Sequence, residues 1–255
     1  MDNELFCVTG MTALVTGASS GLGRHMAETL ATHGANVVAV ARRSGDFFRL
    51  AKPQPVGRGR LLLLECDVTH RDEVLDVFNE AEREFGTVAV VVNNAGAGHF
   101  GRAAELAMDE WRYLMAVNLD AAFFVAQEAA RRMVKNGLPG SIVNISSILA
   151  RDPQNGAAAY AVSKAALDQM TRSLALEWGR HGVRVNAIAP GWFPTPMTQK
   201  QLDLGLGAIL KRKNPMRRLG EAADLDGVLL LLASAAGRYI NGAIIPVDGG
   251  QSLSG

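Results

Sequence analysis

Two side chains capable of acid–base chemistry, Tyr160 and Lys164, stand four residues apart in a segment with helical periodicity. Residues at this spacing share one face of a helix, so the phenol and the ammonium can converge on one point. A free tyrosine has a pKa of about 10, and a nearby positive charge lowers that pKa by favouring the phenolate. Because many helices contain such a pair by chance, its meaning depends on what accompanies it.

A glycine-rich segment, Gly17-Ala-Ser-Ser-Gly21-Leu-Gly23, joins an apolar segment to one with helical periodicity. Glycines at such a turn let the backbone approach a pyrophosphate, and the N–H groups at the helix start face its negative charge. The spacing GxxxGxG differs from the common GxGxxG fingerprint and lacks the GK[ST] ending of an ATP-type loop. Its position at the first strand–helix junction favours dinucleotide binding.

The end of the second apolar segment discriminates between the two nicotinamide cofactors. An acidic residue there would accept hydrogen bonds from a ribose 2′-OH and repel a 2′-phosphate. This chain has Ala41 followed by Arg42 and Arg43. A guanidinium suits phosphate by charge and bidentate geometry, so NADP(H) is favoured over NAD(H). The alternative is that both arginines are merely solvated. Asp67, after the third segment, either accepts from the adenine amino group or caps a turn.

Short apolar segments alternate with segments of helical periodicity along the chain. The predicted strands are residues 12–16, 37–41, 61–65, 88–92, 141–145, 184–188 and 243–247, and the predicted helices are residues 22–33, 73–85, 111–135, 160–178 and 222–233. Near-continuous apolar strands between helices indicate a parallel sheet covered on both faces. We therefore predict a single α/β domain over residues 1–255, with a Rossmann-type, doubly wound parallel sheet of about seven strands. Residues 43–60 are predicted to be irregular, and residues 192–215 to form a substrate lid.

Composition argues against several other classes of protein. The formal net charge of +1 provides no field for nucleic acid or an anionic membrane. Two cysteines exclude a disulfide framework, and the five histidines lack metal-ligand spacing, so no metal site is expected. The first residues lack signal-peptide character, and the longest apolar run is far shorter than the roughly 20 residues of a membrane span. We expect a cytoplasmic protein with neither nucleic-acid nor membrane partners.

Further motifs complete an ordered set, Thr16 with the glycine segment, Asn93-Asn94-Ala95-Gly96, Asn118, Ser147, Tyr160-x-x-x-Lys164, Pro190-Gly191 and Asp248-Gly249-Gly250. From about Val8 to the C-terminus, the set resembles the single-domain branch of the short-chain dehydrogenase/reductase family. It is similar to members of the gluconate 5-dehydrogenase and 3-oxoacyl-ACP reductase types. The resemblance implies an NADP(H)-dependent carbonyl reductase, which interconverts a ketone and a secondary alcohol by hydride transfer.

The resemblance also implies roles for the catalytic residues. Tyr160 is the acid that protonates the carbonyl oxygen during reduction and the base in the reverse direction. Ser147 holds that oxygen, with Ser146 as the alternative in the other register. Lys164 binds the nicotinamide ribose and lowers the pKa of Tyr160. Asn118 holds, through its main chain, a water that relays protons between Lys164 and solvent.

The same resemblance assigns binding residues. Those expected at the cofactor are Gly17, Ser19, Ser20, Gly21, Leu22, Gly23, Arg42, Arg43, Asp67, Val68, Asn94, Ala95, Gly96, Tyr160, Lys164, Pro190, Gly191, Phe193 and Thr195. Arg42 takes the place of the 2′-phosphate ligand, with Ser20 or Arg43 in support. Those expected at the substrate are Ser147, Leu149, Asn155, Tyr160, Trp192 and Met197.

Family members commonly pair two long helices between subunits, which implies a homo-oligomer, a dimer or a tetramer, through the helices predicted at residues 111–135 and 160–178. Two other functions are kept open, an NAD(H)-preferring sugar-acid or polyol dehydrogenase and a non-catalytic nicotinamide-binding sensor or scaffold. Epimerase or dehydratase chemistry would need a longer substrate domain than 255 residues allow. The sequence does not choose between a polyol or sugar acid, an acyl thioester and a small ketone.

Overall fold

The computed structural model describes residues 4–42 and 59–254. Its strands are β1 (Thr12–Thr16), β2 (Asn36–Ala41), β3 (Leu61–Glu65), β4 (Val88–Asn93), β5 (Gly140–Ile145), β6 (Val183–Pro190) and β7 (Ile244–Val247). Its helices are α1 (Gly21–Thr32), α2 (Arg71–Phe85), α3 (Met108–Met115), α4 (Ala121–Lys135), α5 (Ala158–Trp178), α6 (Gln199–Gln201), α7 (Gly207–Lys213) and α8 (Asp226–Ala233). The strands form one parallel sheet in the order β3-β2-β1-β4-β5-β6-β7. The predicted doubly wound α/β fold is therefore confirmed.

Helices cover both faces of this sheet. On one face, Met26 and Leu30 of α1 pack with Leu229 of α8, and all three side chains are fully buried. On the other face, Phe78 of α2 and Met133 of α4 are fully buried as well. Full burial of one such side chain contributes roughly 1.5–3 kcal/mol. The two apolar layers hold the sheet between them.

The strands read as continuous apolar runs because alternate residues enter different layers. In β1, Ala13 and Val15 face the α1 layer and Leu14 faces the α2 layer, each at most 1% exposed. A strand buried on both sides has no polar face to show in its sequence.

The order in which strands are added to the sheet reverses in the middle of the sheet. β1 pairs with β2 on one side and with β4 on the other, so the connections that follow β1 and β4 diverge. In open parallel sheets, such a divergence opens a crevice at the carboxyl ends of the strands, and ligands bind there. The residues after β1, β2, β4, β5 and β6 all lie at this end.

The largest local difference from the predicted elements lies in the helix expected over residues 111–135. It begins earlier, at Met108, and is divided into α3 and α4 by one π-helical turn, Ala116–Asp120. Asn118 lies within this turn and is 1% exposed. Its side chain bonds the backbone of Ala97 on a neighbouring loop, an interaction that periodicity does not reveal. Irregular turns of this type occur frequently at functional sites.

The remaining differences are smaller. α5 begins at Ala158, two residues before its predicted start, and the predicted helix at residues 222–233 opens with a 3₁₀ turn, Ala222–Leu225. The predicted lid at residues 192–215 contains α6, a π-turn and α7, with a kink at Gly205, whose φ is +95°. Of the predicted irregular stretch at residues 43–60, only 59–60 are among the described residues. Within that same part of the chain, no helix has the length and apolar character needed to cross a membrane.

Candidate active site

A cleft at the carboxyl ends of the strands has a volume of about 320 Å³. Ligand sites usually measure about 300–1,000 Å³, so this cleft lies within the range of small-molecule and cofactor sites. Its described lining is Gly17, Ser19, Ser20, Gly21, Leu22, Ala41, Arg42, Cys66, Asp67, Val68, Asn94, Ala95, Gly96, Val117, Ile145, Ser146, Ser147, Tyr160, Lys164, Pro190, Gly191, Phe193, Thr195, Pro196, Met197 and Thr198. Most of the residues predicted to bind the cofactor are in this set.

Tyr160 and Lys164 lie together at the inner end of the cleft, on the first turns of α5. The Lys164 ammonium is 5.8 Å from the centre of the Tyr160 ring and donates a hydrogen bond of 2.8 Å to the Ile145 carbonyl at the end of β5. Lys164 is only 4% exposed. This bond fixes the long side chain, so the ammonium stays beside the phenol.

Ser147 meets the phenol from the end of β5. Its hydroxyl accepts a bond of 3.1 Å from the Leu149 amide and bonds the Tyr160 phenol. The neighbouring Ser146 continues the sheet instead, since its amide donates to the Ile188 carbonyl at 2.7 Å. This arrangement supports Ser147, rather than Ser146, as the partner of Tyr160.

Burial decides the protonation of both groups on α5. It raises the pKa of the Tyr160 phenol, and the hydrogen bond from Ser147 offsets only part of this effect. The net direction of this pKa is therefore upward, and the predicted lowering of the pKa by Lys164 stays a prediction. Burial also lowers the pKa of Lys164 to about 8, against the opposing pull of Asp168.

Asp168 is a buried acid that was not predicted from the sequence. It is 7% exposed and follows Lys164 by one helical turn, on the same face of α5. Burial raises the pKa of its carboxyl, while Ser146, Arg172 and Lys164 each favour the carboxylate. The four-residue spacing from Lys164 to Asp168 is the signal that could have identified it.

Asn118 fixes the loop that follows β4. Its Oδ1 accepts from the Ala97 amide at 2.7 Å, and its Nδ2 donates to the Ala97 carbonyl and to the Ser163 hydroxyl, both at 2.9 Å. Because the side chain is fully engaged, only the main chain of Asn118 is left for the predicted water relay. Gly96 lies beside it, where an added Cβ would be 3.4 Å from Asn118 Oδ1 and 3.7 Å from Lys164 Nζ.

The glycine turn forms a tight cradle between β1 and α1. Gly17 and Gly21 have φ values of +65° and +56°, and a Cβ at Gly17 would lie 2.9 Å from the Ala95 Cα. A Cβ at Gly23 would lie 2.2 Å from Nδ2, the side-chain amide nitrogen of Asn94. That nitrogen donates to the carbonyls of Thr16 and Gly17 at 3.0 and 3.2 Å. Gly23 therefore packs against the Asn94 side chain on the far side of the cradle and is not part of the described lining of the cleft.

The start of α1 fits a pyrophosphate. Ser20 stands at the N-cap position, but its side chain makes no capping hydrogen bond, so no side-chain oxygen there competes with a ligand for the first N–H groups. The positive end of a 12-residue helix points into the cleft at this place. Together with the cradle, this geometry fits the diphosphate bridge of a dinucleotide.

Arg42 lies at the outer end of the cleft, directly after β2. It is exposed, and its Nη1 donates a hydrogen bond of 3.0 Å to the hydroxyl of Tyr113 on α3.

The Asp67 carboxylate accepts from the Thr69 amide and hydroxyl at 3.0 and 2.7 Å. Burial acts to raise the pKa of Asp67, but these two bonds, together with the charges of Arg42 and His70, lower it. Asp67 thus caps its own turn. Arg43, one of the two residues predicted to support Arg42, lies outside the described residues.

The segment after β6 closes the cleft from above. Thr195 and Pro196 lie 3.5 Å from the position of a Gly21 Cβ, so this segment contacts the glycine turn. The Thr198 hydroxyl donates to the Phe193 carbonyl at 2.6 Å and fixes the bend between them. A Cβ at Gly191 would lie 2.8 Å from the Asp248 Cβ, which explains why glycine is needed there.

The predicted substrate residues do not all meet in this cleft. Met197 lines it together with Ser147 and Tyr160, whereas Leu149, Asn155 and Trp192 are absent from its described lining. Leu149 is buried in a cluster against the Tyr160 ring. Trp192 stacks on Phe100 at 6.4 Å between ring centres and lines a second, smaller cavity. Both residues were expected at the substrate, but their side chains pack against neighbouring residues instead.

Comparisons with known proteins agree with this architecture. The family model described as enoyl-(acyl carrier protein) reductase matches residues 17–252. Gluconate 5-dehydrogenase of Gluconobacter oxydans is 36% identical over 252 residues, which are 98% of both chains. Galactitol 2-dehydrogenase (L-tagatose-forming) of Cereibacter sphaeroides is 37% identical over 253 residues, again 98% of both chains.

A solved structure supports the same conclusion. The crystal structure of a gluconate 5-dehydrogenase from Burkholderia cenocepacia, in complex with NADP and tartrate, has a TM-score of 0.93 and 33% identity over 99% of both chains. The similarity therefore covers the whole fold and does not depend on one motif. The chain belongs to the short-chain dehydrogenase/reductase family of nicotinamide-dependent oxidoreductases.

Proposed function

We propose that this protein is an NADP(H)-dependent oxidoreductase that interconverts a ketone and a secondary alcohol, with Tyr160 as its general acid and base. One observation carries this proposal. The Ser147 hydroxyl, the Tyr160 phenol and the Lys164 ammonium converge at the inner end of a cleft that begins at a glycine cradle. A protein that only senses the dinucleotide has no need of a phenol placed in this way.

In the reducing direction, the hydroxyls of Ser147 and Tyr160 hold the carbonyl oxygen of the substrate and polarise the C=O bond. Bound reduced nicotinamide supplies the hydride to the carbonyl carbon, and its oxidised form accepts the hydride in reverse. Tyr160 gives its proton to the oxygen, and its raised pKa keeps that proton available at neutral pH. The Lys164 ammonium then stabilises the phenolate, and a water held by the Asn118 main chain returns the proton.

The substrate class we favour is a sugar acid or a polyol. Two similar proteins support this choice, one a gluconate 5-dehydrogenase and the other a galactitol 2-dehydrogenase. NADP(H) is favoured as the cofactor because Arg42, and no acidic residue, follows β2 at the outer end of the cleft. An NAD(H)-preferring dehydrogenase of the same substrates is the alternative.

Two features of organisation belong to the proposal. Residues 192–215 act as a substrate lid within a single cofactor-binding and catalytic domain, supported by the contact of Thr195 and Pro196 with the glycine turn. The chain assembles as a dimer or a tetramer through α4 and α5, where Phe123, Phe124 and Met170 are only half-buried in the protomer.

The test is an absorbance screen of reduced nicotinamide, in both directions and with both cofactors, against sugar acids, polyols, small ketones and a 3-oxoacyl thioester. We expect turnover of a sugar acid or a polyol, with NADP(H) preferred. Replacing Ala41→Asp together with Arg42→Ala should shift the ratio of kcat/KM for NADPH over NADH towards NADH at least about tenfold, because charge-assisted bonds contribute about 1.5–3 kcal/mol each. An unchanged ratio would refute the phosphate assignment, and no turnover in the whole panel would favour a sensor or scaffold.

A further inference from the structure

Tyr113 is an aromatic residue without an assigned role at the outer end of the cleft. It lies on α3 and is 45% exposed, which is high for a large ring on a helix that packs against the protein. Val117, four residues later, lines the cleft, whereas Tyr113 is outside the described lining and reaches the cleft through its hydrogen bond with Arg42.

The Tyr113 hydroxyl orients Arg42. It accepts the hydrogen bond from Arg42 Nη1 at 3.0 Å, across the gap between the end of β2 and α3. An exposed arginine otherwise samples many rotamers, and each immobilised side chain costs about 0.5–1.5 kcal/mol when a ligand binds. The bond to Tyr113 therefore preorganises the guanidinium at the rim of the cleft. Against the described residues, Arg42 makes no other hydrogen bond, so four of its five N–H donors are left for a ligand there.

The same hydroxyl has a donor to offer. Within residues 4–42 and 59–254, no acceptor takes the proton of the Tyr113 phenol, so the hydroxyl can accept from Arg42 and donate to a ligand at the same time. The carboxylate of Asp67, the acidic residue of the described cleft lining, accepts from Thr69, and the charge of Arg42 also acts on it and helps to lower its pKa. A cation and a neutral donor side by side suit a phosphate monoester better than a ribose hydroxyl.

We propose that Arg42 and Tyr113 together form the binding site for the 2′-phosphate of the adenosine ribose, with Tyr113 as both a phosphate ligand and the residue that orients Arg42. This inference rests on the proposed NADP(H) dependence and deepens it, because it assigns cofactor preference to a residue far from β2 in the sequence. Tyr113 is a specificity residue and takes no part in hydride or proton transfer.

The test is calorimetric binding of two fragments, adenosine 2′,5′-bisphosphate and adenosine 5′-monophosphate, which involves no turnover. Tyr113→Phe keeps the ring and removes only the hydroxyl. We expect it to weaken binding of the bisphosphate about tenfold, as loss of one hydrogen bond to a charged group does, and to leave the monophosphate within about twofold. Arg112→Ala is the matched control, since Arg112 is an exposed cation on the same helix that pairs with Asp109. Arg112→Ala should leave the binding affinity for both fragments unchanged.

The variant Arg42→Ala distinguishes a failure of this inference about Tyr113 from a failure of the proposed NADP(H) dependence. If Arg42→Ala weakens the bisphosphate selectively but Tyr113→Phe does not, the role of Tyr113 is wrong while the NADP(H) assignment stands. If Arg42→Ala has no selective effect, the cofactor assignment itself fails. The double variant should weaken binding by less than the product of the two single effects, because Tyr113 acts partly through Arg42. Strictly multiplicative effects would contradict the orienting role.

Discussion

At the scale of single residues, burial favours the neutral form of both Tyr160 and Lys164. It raises the pKa of Tyr160 and lowers the pKa of Lys164, so each is driven towards its neutral form. The sequence predicted their proximity but not this balance, because spacing along a helix contains no information on desolvation. The result suits reduction, since Tyr160 starts as a proton donor and Lys164, with a pKa of about 8, still carries its charge at neutral pH.

The pH dependence of reduction should therefore depend on Asp168. The charged form of Lys164 is lost as pH rises through its pKa of about 8, so activity should fall on the alkaline side. The Asp168 carboxylate opposes that loss by raising the pKa of Lys164. Asp168→Asn should move the alkaline limb of the kcat/KM profile to lower pH, because the ammonium then loses its buried counter-charge.

A structural effect of the Asp168 substitution would appear differently. Loss of folded enzyme would lower the whole profile without moving its limb, and thermal unfolding would report it separately. Arg172→Gln is a useful companion, because Arg172 favours the Asp168 carboxylate and is not among the groups that shift the pKa of Lys164. An alkaline limb that stays in place in Asp168→Asn would contradict the account of the lysine.

At the scale of elements, the glycine cradle has little tolerance. In Gly23→Ala the new methyl would lie 2.2 Å from the Asn94 side chain and 2.4 Å from the Gly17 carbonyl oxygen. We expect a loss of roughly 1–3 kcal/mol in the free energy of unfolding, together with weaker dinucleotide binding, because Asn94 must move. Urea denaturation and a fluorescence titration with NADPH measure the two effects.

Gly227→Ala provides the control for that experiment. Gly227 lies in α8, and apart from its chain neighbours and the nearby backbone of its own helix, no atom of the described residues lies within 4 Å of its Cβ position. Alanine there should leave cofactor binding unchanged and stabilise the protein by up to about 1 kcal/mol. Equal stability and equal affinity in Gly23→Ala and Gly227→Ala would show that the cradle does not need its glycine.

The elements also show what the sequence reveals and where it stops. Strands such as β1 are recognisable because both of their faces are apolar, and α1 because a glycine turn precedes it. The π-turn at Ala116–Asp120 follows from bonds between Asn118 and a loop some twenty residues earlier, which local periodicity cannot express. Tertiary hydrogen bonding prevailed there over the regular helix that periodicity predicts.

At the scale of the whole molecule, the strand order brings distant segments to one crevice. The motifs at Gly17, Asn94, Ser147, Tyr160 and Gly191 are spread through the chain, and the sheet assembles them in one cleft. The ordered motifs made this assembly predictable. The contact between Arg42 and Tyr113 and the stacking of Trp192 on Phe100 were not predictable, because each depends on side-chain packing between elements that no motif encodes.

The central claim is that the Tyr160 phenol delivers the proton at the inner end of the cleft. The most direct test is Tyr160→Phe, assayed for NADPH affinity by fluorescence and for turnover with the substrate found in the screen. The account predicts a dissociation constant for NADPH within about threefold of the unmodified protein and a fall in kcat of at least about 10²-fold, the usual contribution of general acid catalysis. Turnover equal to that of the unmodified protein would contradict it.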